Sequence, residues 1–210
     1  MEFHRAARDQ CPIGIIAVAI NNDNDIPHSG IVYTNNSGGI VFCDLLLEGK
    51  LRVRKLPNHY YWTTAKLDPI DALQIAAFVD LIVQRANAPV RYSFIYPDGF
   101  DAVGRILNGA GFTCTTFVSA IFDHFQFHIV DLATWRVRPI QDAKFRAQVI
   151  KLAADNGLHH AAAQLKEEPA YFRLKPWELF GSATHSRYPV RFCQAKKLAK
   201  IVTKLVRKYA

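Results

Sequence analysis

Gly111-Phe112-Thr113-Cys114-Thr115-Thr116-Phe117-Val118-Ser119-Ala120-Ile121-Phe122 is the stretch on which the fold turns. Its apolar residues Phe117, Val118, Ile121 and Phe122, followed by Phe125, recur at helical spacing. Thr113 reads as a hydroxyl N-cap, which puts Cys114 in the first turn of the helix. The thiolate is the reactive form of cysteine, and unpaired N–H groups and the helix dipole stabilise an anion at that position. The same N–H groups can hold an oxyanion during acyl transfer. Gly109 and Gly111 let the chain turn sharply and let a substrate carbonyl approach. The fragment by itself also fits a small buried structural cysteine.

A histidine upstream changes the balance. Ile13 to Ile20 is a continuous apolar run that reads as a strand buried on both faces, followed by a polar loop over Asn21 to Pro27. His28 to Thr34 reads as a second strand, Asn35-Asn36-Ser37-Gly38-Gly39 as a turn, and Ile40 to Leu47 as a third strand, together a β-hairpin. His28 opens this hairpin, and Gly30 leaves space two residues on along the same face. An imidazole on a sheet facing a thiol on a helix is the arrangement of a thiol hydrolase, with a third polar residue orienting the ring. If the turn centres on residue 36, Asp44 lies opposite His28 and takes that third role. A shifted register favours Cys43 or another side chain instead.

After a turn at Glu48-Gly49-Lys50, residues Leu51 to Leu56 extend the meander. His59-Tyr60-Tyr61-Trp62, after the basic residues Arg52, Arg54 and Lys55, reads as an aromatic cover on a core edge, or alternatively as a substrate-binding wall or a stacking platform for bases. Asp68 caps a helix that starts at Pro69 and ends near Asn87, with Ile70, Leu73, Ala77 and Leu81 as its apolar stripe. Val90 to Tyr96 reads as a strand and Pro97 to Gly111 as a loop, where Asp98 and Asn108 are placed to contact a substrate. Residues from about 140 to 165 read as helix with a break at Asn156-Gly157, Pro169 to Pro189 as irregular, and Lys196 to Tyr209 as a final helix.

Composition bounds the function. Half of the 210 residues are hydrophobic and 21% are charged, which suits a packed core and argues against disorder. Cys11, Cys43, Cys114 and Cys193 form no C-x-x-C pair, so neither a zinc site nor a disulfide scaffold is expected. The net charge is +8, but Lys196, Lys197, Lys200, Lys204, Arg207 and Lys208 supply six of it. Eight less six leaves +2 for the other 195 residues, so the body is nearly neutral. The final helix, with Leu198, Ile201, Val202, Leu205 and Tyr209 opposite the cations, is expected to pack on the domain. Binding of a protein partner, nucleic acid or an anionic membrane through residues 196–210 is the minor alternative. His124 and His128 have metal-ligand spacing but no H-E-x-x-H context, so local packing is expected of them; the adjacent His159 and His160 diverge around a helix, so a solvated or interface role is expected there. The charged N-terminus and the short apolar run behind it read as a mature cytoplasmic start.

Pro27-His28-Ser29-Gly30-Ile31-Val32 and Gly111-Phe112-Thr113-Cys114-Thr115-Thr116-Phe117-Val118, in that order, resemble the circularly permuted branch of the NlpC-type, papain-like cysteine hydrolases. The second segment is also similar to a group of bacterial proteins with a G-[LF]-T-C-x-T-F-V helix. The resemblance covers roughly residues 10 to 135. It implies an α+β, papain-like fold in which a small antiparallel sheet packs on the nucleophile helix. Residues 1–138 are expected to form the papain-like catalytic domain, and 139–210 a helical C-terminal extension that packs on it and is not an independent unit. It further implies a hydrolase or acyl transferase acting on an amide, ester or thioester carbonyl through an acyl-enzyme, with Cys114 as nucleophile and His28 as base. Neither cofactor nor metal is needed. Relatives of this fold cleave cell-wall peptides, act on amide or isopeptide bonds, or move acyl chains. A departure from the family's pattern concerns the third member: many relatives place a histidine or other polar residue on the strand after the first histidine, where this chain reads Ile40-Val41-Phe42-Cys43-Asp44-Leu45. A catalytically silent scaffold kept for interaction is the rival reading.

Overall fold

In a computed structural model, which describes residues 2–21, 27–86, 89–96, 99–107 and 111–209, the N-terminal third pairs into one antiparallel sheet. Its strands are β1 (His4–Arg5), β2 (Ala17–Asn21), β3 (Ser29–Thr34), β4 (Ile40–Leu45), β5 (Leu51–Arg54) and β6 (Tyr60–Thr64). Their spatial order is β1-β6-β2-β3-β4-β5. Among the described residues six α-helices follow: α1 (Pro69–Arg85), α2 (Cys114–His124), α3 (Pro139–Asp155), α4 (His159–Glu167), α5 (Pro176–Ala183) and α6 (Phe192–Tyr209). A short parallel pair, β7 (Val130–Asp131) with β8 (Val190–Arg191), ties the C-terminal helices to the end of α2. The protein is α+β.

Both faces of the central strands are covered, which explains their continuous apolar character. Val18, Ile20, Ile31, Tyr33, Cys43 and Leu45 point into the main core. There they meet Phe117, Val118, Ile121 and Phe122 of α2, with Leu179, Phe180, Val202 and Val206 from the C-terminal helices in the same cluster. Phe117 and Phe122 are wholly buried, and burial of each contributes about 1.5–3 kcal/mol. Ala17, Ala19, Val32, Phe42, Tyr60 and Trp62 form a second cluster on the opposite face, against Ala6, Cys11 and Ile15 of the N-terminal segment. The indole of Trp62 anchors that segment by donating to the Asp9 carbonyl at 3.1 Å. Tyr33 donates to Asp80 of α1 at 2.8 Å, and the Asn36 N–H donates to the same carboxylate at 2.7 Å, fixing α1 to the hairpin turn.

Several expectations need correction. The sheet is not small: the aromatic run at 60–64 is a strand between β1 and β2, not a cover on a core edge. The strand expected over 13–20 begins only at Ala17: residues 13–14 form a turn in which Gly14 has a positive φ, and this leaves Ile13 72% exposed. The apolar stripe of α1 faces elsewhere. Ile70 and Leu73 are 67% and 60% exposed, whereas Ala72, Ile75, Phe78, Val79 and Ile82 are buried. Two overlapping stripes were available, and packing on the hairpin and α2 selected the one that carries Phe78. Residues 90–96 make a single bridge, Tyr92 to Phe112, and no strand. The region 169–189 contains α5, started by Pro176 and a Glu178 side chain that accepts the Lys175 N–H at 2.9 Å. The last helix starts at Phe192 rather than Lys196; it buries Ala195, Val202 and Val206 and leaves Ile201 half in water.

Candidate active site

Thr113 caps α2 as the sequence suggests. Its hydroxyl accepts the Thr116 N–H at 3.1 Å, while the Thr116 hydroxyl accepts the Thr113 N–H at 2.7 Å. This reciprocal cap leaves the N–H groups of Cys114 and Thr115 uncommitted among the described residues. Gly111 serves a different purpose from the one expected. A Cβ there would stand 2.6 Å from Ser93 Cβ and 2.7 Å from the Arg91 carbonyl, so the missing side chain lets the helix start dock on residues 91–93. The Phe112 N–H donates to the Arg91 carbonyl at 2.9 Å, which sets Tyr92 beside the helix mouth. Gly109, Asn108 and Asp98 lie outside the described residues.

His28 immediately precedes β3, near the end of the ladder. Asn21 holds its backbone on both sides: the Asn21 N–H donates to the His28 carbonyl at 3.0 Å, and Asn21 Oδ1 accepts the His28 N–H at 2.7 Å. The hairpin register is not the one expected. Ile31 pairs with Cys43 and Thr34 with Ile40, so the turn centres on residue 37. Moving the centre by one residue moves the pairing by two and leaves side chains on the same face. Asp44 therefore still reaches His28, with Oδ2 3.0 Å from Nε2. Cys43 points into the main core. The space over Gly30 is filled by the Phe42 ring, which a Cβ would meet at 2.5 Å.

Cys114, His28 and Asp44 are thus brought together. Burial raises the Cys114 thiol, but the His28 charge, a hydrogen bond from His28, and the Ser29 N–H and hydroxyl outweigh it and bring the group down to about 6. Burial lowers His28, but the adjoining Cys114 charge and the Asp44 hydrogen bond raise it to about 10. With Nε2 taken by Asp44, Nδ1 is the nitrogen left to serve the sulfur. The pair is accordingly thiolate–imidazolium around neutral pH, and the two values belong to the pair together. The other buried thiols behave oppositely: burial pushes Cys11 up to about 12, and Cys43 is raised further still. Asp44 is fully buried. Burial works to raise it, but hydrogen bonds from His28 and Arg52 hold it below the ordinary carboxylate range. Arg52 donates to both its oxygens, at 3.0 and 2.5 Å, and Arg54 donates at 3.4 Å.

Cys114 is only 7% exposed, yet it opens into a cavity of about 450 Å³ with His28, Tyr92, Thr113 and Thr115. Leu45, Leu47, Val149 and Leu152 give this cavity apolar walls, and Arg173 enters it from the segment before α5. Burial drives the Tyr92 phenol well above its ordinary range, and the neighbouring Cys114 charge adds to that, so Tyr92 is a hydrogen-bond donor at all ordinary pH.

Sequence reasoning missed Asn21, Ser29, Arg52, Tyr92 and Arg173. Ser29 and Arg52 carried a signal, one adjoining His28 and the other opposite Asp44 in the ladder. Tyr92 and Arg173 carried none. Elsewhere, His124 stacks on Phe78, and His128 Nδ1 bonds Asp123 at 2.7 Å. His160 bonds Gln164. Among the described residues no three His, Cys, Asp or Glu side chains are grouped to hold a metal ion, and no helix is long and apolar enough to cross a membrane. Comparison with family models, with curated proteins and with solved structures finds no match to this chain.

Proposed function

We propose that this chain is a cysteine-dependent hydrolase or acyl transferase of amide, ester or thioester bonds, built on a permuted NlpC-type, papain-like scaffold. The observation that carries the reading is Cys114 at a capped helix start, sharing a cavity with an imidazole that a buried carboxylate orients at 3.0 Å; the lowering of the thiol by the His28 charge agrees with it. The six-stranded antiparallel sheet with the thiol-bearing helix on one face suits that scaffold, and a reducing, cytoplasmic setting suits its free thiols.

The chemistry follows from the groups in place. The Cys114 thiolate attacks the carbonyl carbon, and the π electrons move to oxygen. The Cys114 and Thr115 N–H groups face the oxyanion, with the Tyr92 hydroxyl as a further donor. As the tetrahedral adduct collapses, His28 gives its proton to the departing amine, alcohol or thiol, leaving a thioester on Cys114. The now neutral imidazole takes a proton from water or another acceptor, which attacks the thioester and releases the acyl group. Asp44 fixes the ring orientation and stabilises the imidazolium, and Arg52 keeps Asp44 ionised.

A burst assay with 4-nitrophenyl acetate tests this. The expected result is a burst of nitrophenolate stoichiometric with protein and an acetyl thioester located at Cys114 by mass spectrometry, both absent in Cys114→Ser. Release no faster than from a simple thiol, with no acyl adduct, would identify a silent scaffold.

A further inference from the structure

The cavity in front of Cys114 does not end there. A second cavity of about 280 Å³, walled mainly by Phe94, Val137, Tyr171 and Phe172, shares Thr113, Phe145, Arg173 and Leu174 with the first. Arg173 therefore stands at the junction of two apolar chambers. Its guanidinium lies over the Phe145 ring, with Cζ 3.0 Å from the centroid, and among the described residues it has no hydrogen-bond acceptor. A ring face attracts the positive charge but satisfies none of the in-plane N–H donors.

The neighbouring carboxylates are already committed. Asp142 accepts from the Arg138 N–H at 2.8 Å and from its Nε at 3.3 Å, and Glu178 accepts Arg138 Nη1 at 2.5 Å. Arg138 Nη2 donates to the backbone carbonyl of Arg173 itself, so Arg138 fixes the position of Arg173 while taking away the anions that could have paired with it. Arg146, which lines the second chamber, is spent on four carbonyls, of Leu165, Lys166, Glu168 and Pro169. The His28 charge is divided between Cys114 and Asp44. Among the described residues that line the two chambers, Arg173 is the cation whose donors have neither a carboxylate nor a carbonyl acceptor, and it interacts electrostatically with Cys114 and Tyr92 at the site. Its nitrogens are not among the buried side-chain atoms that lack a partner, so water reaches them in the open cavity, and a ligand that displaces this water must offer an acceptor in its place.

We propose that Arg173 is a specificity residue that receives a carboxylate on the substrate, so that the preferred acyl compound bears an anionic group beside the attacked carbonyl and an apolar portion in the adjoining chambers. The inference rests on Cys114 being the nucleophile. A planar carboxylate suits one guanidinium, whose parallel N–H donors match its two oxygens. A phosphate dianion would call for a second cation with free donors, and among the described residues Arg146, the other arginine of the chambers, has its guanidinium committed to carbonyls. Burial lowers Arg173 to about 10, so it stays charged at neutral pH.

Paired alkylation by iodoacetate and iodoacetamide isolates this effect. In both reactions the Cys114 sulfur forms a bond to the methylene carbon and iodide leaves; the reagents differ in carboxylate against amide. Because both are attacked by the same thiolate, the ratio of their second-order rate constants cancels any change in thiol ionisation. The ratio should fall about tenfold in Arg173→Gln, as loss of a charge-assisted pair implies, and recover in part in Arg173→Lys. Saturation should show the change in the half-saturating iodoacetate concentration more than in the limiting rate. Without any variant, acetate but not acetamide should slow iodoacetamide labelling of the wild type at matched ionic strength. An unchanged ratio, or equal effects of acetate and acetamide, while Cys114 still labels rapidly and dependently on His28, would overturn the role of Arg173 and leave the nucleophile standing. A Cys114 that labels no faster than a simple thiol would remove both readings.

Discussion

His28 Nε2 stands 3.0 Å from Asp44 Oδ2 although the hairpin register offsets the two residues, pairing Ile31 with Cys43 and so centring the turn on residue 37. The contact survives because the offset is even, and it makes one buried carboxylate the common partner of His28, Arg52 and Arg54. In the proposed chemistry, the reactivity of Cys114 depends on how that carboxylate is shared.

The thiolate–imidazolium pair sets a pH window. The Cys114 thiol is depressed to about 6 and His28 is raised to about 10. Iodoacetamide labelling of Cys114 should therefore rise as pH increases through about 6. Acyl transfer that needs the imidazolium as acid should fall as pH increases through about 10, giving a broad bell. His28→Ala should move the labelling midpoint up to the ordinary thiol range, measured by rate against pH. A wild-type midpoint already in that range would refute the pairing.

Asp44→Asn should act on both reactivity and stability. Loss of the carboxylate lowers His28 and lets the Cys114 thiol rise, so labelling at neutral pH should slow by tenfold or more. It also leaves Arg52 and Arg54 without their shared anion. The cost should be about 2–4 kcal/mol in urea unfolding, short of the largest buried-pair values because both arginines reach water. Arg52→Gln, which removes a competitor for Asp44, should leave His28 more strongly paired and shift the upper limb of the bell upward.

Asn21→Ala tests whether the backbone of His28 must be held. The substitution leaves the His28 N–H without its 2.7 Å acceptor, a loss of about 1–2 kcal/mol. Because the imidazole is then less well placed, the labelling midpoint of Cys114 should also rise, which a purely structural role would not produce. Asn21→Asp, which keeps the acceptor, should restore much of the midpoint.

Gly30→Ala should destabilise by about 1–3 kcal/mol, because the new Cβ would fall 2.5 Å from both the Cys43 carbonyl and the Phe42 ring. Adding Phe42→Leu should relieve only part of this, since the carbonyl contact is with backbone. Full recovery in the double variant, measured by thermal unfolding, would show that the ring alone sets the limit.

The sequence by itself determined what depends on near neighbours along the chain. A hydroxyl before a helically spaced apolar run is enough to cap α2 and put Cys114 in its first turn. Asn35 to Gly39 is enough to turn a hairpin, and period-two alternation puts His28 and Asp44 on one face even when the register slips by two. Tertiary structure decided what depends on contacts distant in sequence. It chose Phe78 over Ile70 as the buried face of α1, because both stripes have helical period and only packing distinguishes them. It drew Tyr60–Thr64 into the sheet between β1 and β2, a pairing that no local signal specifies. It also set Ser29 against the Cys114 sulfur, and brought Tyr92 and Arg173 into the same cavity from irregular segments. The thiol's place at a helix start is thus a local property, whereas its ionisation and the cavity before it arise from charges and walls that only the folded chain assembles.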